Sequence, residues 1–380
     1  MKKTLWMLGV AVAALTSCTQ NEVLDVPESK MIGFESFVDK PTRAINDVSE
    51  SNFDKFYVDC QMDNLNGTFN SGTRYFDNVE VSRSKKQVNG VSTNEWTSFT
   101  YSPAKEWILK KSYRFAAYIS GYGNDALSND KFVFTPKMTV SEEDTWGYQL
   151  ENVEASTVDL AAAVAEQKNP TTTADVQNPV NLTFEHLFAK VIFRFTYDQS
   201  SSDNLKTIVS SFKMNAIKTS DCEIYYDADN GRTSKTTIGW ASQNMKVADV
   251  TTPAGSNITA GDYQIIPDAG LELTKTDGDK SQSFYVIPQN NDLIITFTAS
   301  TYAKTDPNSD NFDKLVGTTT FSNLSLKITD HERWLPGTVY RYTANLSPKI
   351  SNIHFSASIE SWSDTPDRDQ NIGGVISGSN

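Results

Sequence analysis

Cysteine and histidine are nearly missing from these 380 residues, which hold three of each: Cys18, Cys60 and Cys222, and His186, His331 and His354. Zinc frameworks and disulfide-dense scaffolds need clustered ligands or many bridges, so both are excluded, and no metal or cofactor is expected. Positive charge is also in deficit. Lys and Arg number 34 against 47 Asp and Glu, for a formal charge of -13 and a sequence pI of 4.8. A surface of that sign repels phosphate backbones, which excludes nucleic acid as a partner. Helical periodicity is scarce, and hydrophobic residues reach only 38%. That is well above disordered chains and modest for a compact globule, at a length that fits two to three domains.

What is present begins with an address. Lys2 and Lys3 precede an apolar run from Leu5 to Leu15, too short for a bilayer span of about 20 residues but suited to export. Leu15-Thr16-Ser17-Cys18 follows, the pattern of a bacterial lipoprotein signal peptide, in which the thiol of Cys18 is acylated and becomes the new N-terminus. Acyl chains anchor firmly because each buried methylene contributes about 0.8 kcal/mol. Removal of residues 1–17 leaves 32 basic and 47 acidic residues, a charge of -15. Cys60 and Cys222 then remain in a compartment that permits disulfides, and the reading preferred over a bridge is two buried, inert thiols.

The rest of the chain reads as short strands. Lys55 to Met62 alternates Phe56, Val58, Cys60 and Met62 against Tyr57, Asp59 and Gln61, a period of two that puts one face in a core. The same alternation marks Val79 and Val81, Phe193 to Tyr197, Leu324 to Ile328, Tyr340 to Leu346 and Ile353 to Ile359. Turn pairs separate them: Asn66-Gly67, Asn89-Gly90, Asn230-Gly231, Asp277-Gly278 and Pro336-Gly337. An all-β sandwich architecture follows. Local propensity alone predicts a short helix over Asp159 to Lys168, where Ala is dense. The polar segment Gln167 to Asn178 is the best linker and puts a domain boundary near Asn178.

Enzymatic patterns fail. No His-Glu-x-x-His occurs, and three scattered His make a Ser/His/Asp arrangement improbable. Asp306 to Asn311 starts like a calcium loop, but Asn311 stands where Gly is needed and Gly317 where a bidentate Glu is needed.

A series of motifs runs along almost the whole chain. After Cys18 come Ile32-Gly33-Phe34, Thr42-Arg43-Ala44, Trp107, Phe115-Ala116-Ala117-Tyr118 and Asp159-Leu160. Then follow Leu182-Thr183-Phe184-Glu185-His186-Leu187-Phe188-Ala189-Lys190-Val191, Tyr285-Val286-Ile287-Pro288-Gln289, Trp334, Pro336 to Tyr342 and Ile359-Glu360-Ser361-Trp362. In order and spacing these resemble the fimbrillin family, lipoprotein-derived subunits of type V pili. The resemblance implies two transthyretin-like β-sandwich domains in tandem, and it makes Asp159-Leu160 the entry to a strand. Its organisation of the chain is a signal peptide over 1–17, a lipidated pro-segment with the first strand over 18–43, and sandwich domains over 44–178 and 179–380.

The resemblance also implies a mechanism and partners. The precursor reaches the outer membrane through its lipid anchor on Cys18. An arginine-specific protease cuts between Arg43 and Ala44, and subunits exchange strands at the cell surface to build a fimbrium. The sequence supports the cut independently, because Lys40 to Asn46 reads as a loop, where proteolysis concentrates. Ile32 and Phe34 are the groove-filling residues of the departing strand. Two segments remain open as donor: Ile353, Phe355, Ala357 and Ile359, or the Gly-interrupted tail with Ile372, Val375 and Ile376. A different class of function stays open beside it, an outer-membrane-anchored β-sandwich lipoprotein that does not polymerise and binds host glycans or proteins, with Trp96, Trp146 or Trp240 as a platform for sugars. Those aromatics are equally explained as core residues.

Overall fold

The computed structural model describes residues 31–38, 53–63, 69, 74–120, 132–137, 146–154, 158–197, 202–232, 234–250, 257–276, 279–290, 293–326, 333–346, 354–361 and 372–377. These form twenty-one strands and one short 3-10 turn. A six-stranded sheet runs in the order β1 (Phe34–Val38), β10 (Val180–His186), β9 (Ala161–Val164), β6 (Tyr113–Ile119), β2 (Lys55–Met62) and β3 (Arg74–Ser82). A five-stranded sheet runs β16 (Lys280–Val286), β11 (Ala189–Tyr197), β19 (Thr338–Leu346), β20 (His354–Ser361) and β21 (Ile372–Ser377). The largest sheet has the path β18 (Lys314–Leu326), β17 (Leu293–Ala303), β12 (Leu205–Tyr226), β8 (Gly147–Glu154) and β7 (Thr135–Lys137). Three further strands, β13 (Thr236–Trp240), β14 (Thr259–Ile266) and β15 (Leu271–Thr274), also pair with β12. A hairpin of β4 (Lys85–Val88) and β5 (Val91–Trp96) stands apart, turned by Asn89 and Gly90 at φ 52° and 79°. The all-β expectation is met.

Strand β12 is the spine. Its 22 residues exceed the usual strand several-fold, and two cores use successive stretches of it. Val209, Phe212 and Met214, with Phe297 of the neighbouring β17, face the five-stranded sheet and pack with its Phe193 and Tyr342. Farther along, Ile217, Cys222 and Ile224 join Tyr148 and Trp240 against Ala116, Tyr118 and Ala162 of the six-stranded sheet. Register shifts at Ser210/Lys213 and Ser220/Cys222 supply the bends that let one strand serve both, as bulges do. At the start of β8 the backbones come so close that a Cβ added to Gly147 would sit 1.9 Å from the Ile224 carbonyl oxygen, so only glycine fits.

The predicted helix at Asp159 to Lys168 is a strand, as the resemblance implied and local propensity did not. Ala161 and Ala163 point into one core and Ala162 and Val164 into another. Both faces of β9 are buried, so small side chains are required on each, and that packing overrides the helix preference of Ala. The segment from Gln167 to Asn178 is ordered turn. Lys168 pairs with Tyr113 and Asp175 accepts the N–H groups of Thr171 and Thr172 at 2.9 and 2.8 Å. Sheet membership crosses residue 178 in both directions: β10 lies beside β9 and β1, and β8 lies beside β12.

Candidate functional site

The first strand lies in a groove at one edge of the six-stranded sheet. From Met31 to Ser36 exposure alternates strictly, with Ile32, Phe34 and Ser36 buried and Met31, Gly33 and Glu35 exposed. The strand pairs only with β10 among the described residues, in parallel, from Phe34 opposite Val180 to Val38 opposite Phe184. Just upstream, the Val180 N–H donates to the Gly33 carbonyl (2.8 Å) and the Ile32 N–H donates to the Lys105 carbonyl (2.9 Å). The Tyr101 hydroxyl donates to the Ile32 carbonyl at 2.8 Å. Burial raises the pKa of that hydroxyl, so it remains a donor across the physiological range.

The side chain of Phe34 occupies an aromatic socket. Phe56, Phe76, Tyr101 and Phe115 surround it at centroid distances of 6.1, 5.6, 5.6 and 6.0 Å, all edge to face. Each such contact adds about 0.5–1.5 kcal/mol beyond the area removed from water. Three rings come from strands β2, β3 and β6 across the sheet. Tyr101 belongs to the irregular segment that covers this face, together with Trp107 and Phe99. The strand that fills this groove turns Ile32, Phe34 and Ser36 into it, a branched aliphatic residue, an aromatic two positions on and a small residue two further.

The other predicted residues fall as follows. Cys18, Arg43, Ala44 and Ile353 lie outside the described residues. Phe355 is buried in the core between the five- and eight-stranded sheets, 6.1 Å from Phe297. On its strand, Ala357 pairs with Tyr342 and Ile359 with Tyr340. The tail strand β21 covers the far side of β20, with Ile376 opposite Phe355 and Ile372 opposite Ala357, and Val375 lies between them. The two candidate donors are thus hydrogen-bonded to each other.

Trp146 and Trp240 are core residues. The first stacks on Tyr226 at 4.3 Å, and the indole N–H of the second donates to the Leu187 carbonyl at 2.8 Å. Trp96 is half-buried on the small hairpin, with the Lys85 ammonium 3.6 Å from its ring centre. Neither Trp146 nor Trp240 offers a face to a sugar. His186 Nδ1 lies 2.7 Å from Asp159 Oδ2, with both side chains buried, which makes the pair a structural tie. Cys60 and Cys222 are free thiols in separate cores, and burial pushes both well up in pKa. Asp306 forms an ordinary turn by accepting the Asn308 N–H at 2.9 Å.

Two contributors went unread in the sequence. Tyr101 gave no signal, because its segment has no periodicity. Asp59 stood on the polar side of β2, yet it is buried, accepting from the Asn78 N–H (3.0 Å) and from the Tyr148 hydroxyl of β8 (3.0 Å). That bond links the six- and eight-stranded sheets.

A solved structure shares this architecture. A fimbrial protein from Bacteroides vulgatus superposes with a TM-score of 0.51 at 14% identity, over 88% of this chain and 99% of that one. The fimbrial anchor protein Mfa2 from Porphyromonas gingivalis aligns at 12% identity over 92% of this chain and all of its own, with a TM-score of 0.32. No curated protein sequence matches. The model of the fimbrillin-like family matches residues 42–362, and the chain belongs to that family.

Proposed function

We propose that this chain is a fimbrial subunit, exported as a lipoprotein on Cys18, cut after Arg43 and polymerised at the outer membrane surface by exchange of the strand that fills the β1 groove. The observation that carries this reading is β1 itself, a five-residue edge strand on a single ladder whose Phe34, with Ile32 just upstream of it, nevertheless completes a core. The family match begins at Thr42, so the strand and everything before it lie outside the matched residues, and Arg43 stands at their start.

Energetics give the cut a purpose. Burial of Ile32 and Phe34 contributes roughly 1.5–3 kcal/mol each, and a tethered strand competes at an effective concentration on the order of millimolar. A donor from another subunit loses against that until the tether is severed. Loss of 18–43 removes five acidic and three basic residues and returns the charge from -15 to -13. The vacated edge of β10 and the aromatic socket then accept an extended strand by β-augmentation.

The donor is β20. Ile353, Phe355 and Ala357 repeat the spacing and sizes of Ile32, Phe34 and Ser36, whereas the tail has no aromatic residue. The same spacing recurs at Ile295, Phe297 and Ala299, but β17 is wedged between the 22-residue β12 and the 13-residue β18. Strand β20 borders β19 and the six-residue β21.

Arg43→Ala tests the reading. The variant is expected to accumulate as an unprocessed lipoprotein absent from heat-resistant, high-molecular-weight ladders, while wild-type surface material begins at Ala44. Ladders formed by the variant at wild-type levels would overturn it.

A further inference from the structure

Severing the tether frees the resident segment, residues 31–38, without choosing between it and an incoming strand. Ile353 and Phe355 of the donor are the same residue types as Ile32 and Phe34, so the apolar burial that the two occupants offer nearly cancels. A forward direction needs a difference elsewhere, and the resident segment holds two weak positions.

Ser36 is the first. Its side chain turns inward with Ile32 and Phe34, is 7% exposed, and stands opposite the buried Leu182 of β10. The Oγ is buried and has no hydrogen-bond partner among the described residues. A hydroxyl taken out of water without a partner destabilises the strand that carries it. Where the same spacing recurs, at Ile295, Phe297 and Ala299 and at Ile353, Phe355 and Ala357, the third residue is alanine. Ala299 is fully buried, so the hydroxyl is no requirement of such a core.

Gly33 is the second. It lies on the exposed side between Ile32 and Phe34. At Gly147 space forbids any side chain, but a Cβ added to Gly33 would meet only the Pro179 Cβ, at an ordinary 3.7 Å. Its φ is outside the left-handed region as well. Neither space nor backbone conformation calls for glycine, and the freedom glycine regains on leaving weakens the segment. The donor has His354 at this position.

We infer that Gly33 and Ser36 make the resident segment a placeholder, the weaker of two occupants, and that these two residues set the direction of strand exchange. The groove keeps its resident while the tether holds, because effective concentration outweighs both defects. Once the tether is cut, the groove selects a segment with a side chain at the position of Gly33 and alanine at that of Ser36. This rests on the proposed exchange at the β1 groove and adds what drives it forward.

The test first uses the exported chain with Cys18→Ser, to keep it free of lipid, and Arg43→Ala, to keep it uncut. The Val180 N–H donates to the Gly33 carbonyl, so its hydrogen exchange reports departure of the resident segment. Ser36→Ala should raise protection of this N–H at least about fivefold. Gly33→Ala should raise it about two- to fivefold. Glu35→Gln, on the exposed side, should leave it unchanged. In the Cys18→Ser chain cut after Arg43, a synthetic peptide of residues 351–361 should displace the 18–43 fragment. Ser36→Ala and Gly33→Ala should each raise the peptide concentration required by the factor seen in protection. Ala357→Ser in the peptide should raise it at least about fivefold. Lower protection in Ser36→Ala, or protection and displacement unchanged in both variants, would overturn the inference. A fragment that the peptide never displaces, with protection raised as expected, would overturn the proposed exchange and with it the role given to the two residues. Protection therefore tells the two failures apart.

Discussion

Phe34 and Phe297 are each the hub of an aromatic cluster, and the backbone holds them very differently. Phe34 touches four rings edge-on from a five-residue strand with one ladder. Phe297 stacks on Phe212 at 5.2 Å and Phe321 at 4.8 Å from an eleven-residue strand with ladders on both sides. Side-chain burial is nearly the same, 7% and 0% exposed. Core contribution and backbone retention are therefore separable. A strand can complete a core and still be the easiest element to replace, because its stabilisation sits in side chains that any strand of the right spacing can supply.

The largest predicted effects break that comparison directly. Phe297→Ala should cost about 3–5 kcal/mol, the range for buried Phe, in precursor and assembled fimbria alike. Phe34→Ala should cost about as much in the precursor. It should change nothing in assembled material, from which the proposed mechanism has removed the residue. Chemical denaturation of the Arg43→Ala precursor, set beside thermal dissociation of fimbriae from a Phe34→Ala strain in which maturation proceeds, measures both. A Phe34→Ala strain whose fimbriae fall apart more easily would show that β1 stays.

A smaller effect sharpens the contrast at the junction between the six- and eight-stranded sheets. The Tyr148 hydroxyl lies 3.0 Å from both Asp59 Oδ2 and the Ala116 carbonyl, and burial together with Asp59 holds its pKa well above the ordinary tyrosine value. It donates at any pH the protein meets. Tyr148→Phe deletes the donor and leaves a buried carboxylate short of one partner, for a loss of about 1–3 kcal/mol. The loss should be the same with β1 in place or departed, unlike that of Phe34→Ala.

What was legible in the sequence follows from range. Strand β2 was readable because alternation over eight residues is a local signal, whereas Ile32 and Phe34 stood out through the family resemblance. The strand at Ala161 to Val164 was not readable from propensity, since the need for small residues on both faces arises from two cores that the local chain does not reveal. Tyr101 reaches a carbonyl 69 residues earlier in the chain from a segment without periodicity. Asp59 looked like the solvent side of an alternating strand, and the sheet that covers it is built around β12, more than a hundred residues later.

Asp59 also supplies the smallest of these predictions. Burial raises its pKa above the usual carboxylate value of 3.8, and this outweighs the Asn78 N–H, the Tyr148 hydroxyl and the Arg74 guanidinium 3.6 Å away, all of which favour the charged form. The folded chain therefore takes up this proton at a higher pH than the unfolded chain. Linkage then gives the sign: between the raised value and 3.8 the native state binds more proton than the unfolded one, so the contribution of Asp59 to stability rises as pH falls through that interval and is constant below it. Asp59→Asn removes the titration and keeps the shape. The melting temperature of the variant relative to wild type should accordingly be most favourable at pH 7 and should decline on acidification toward pH 4. If Asp59 instead behaved as a carboxylate stabilised by its donors, the difference would move the other way. Parallel melting curves for wild type and variant across that range would show that the junction leaves this carboxylate as free to ionise as it is in the unfolded chain.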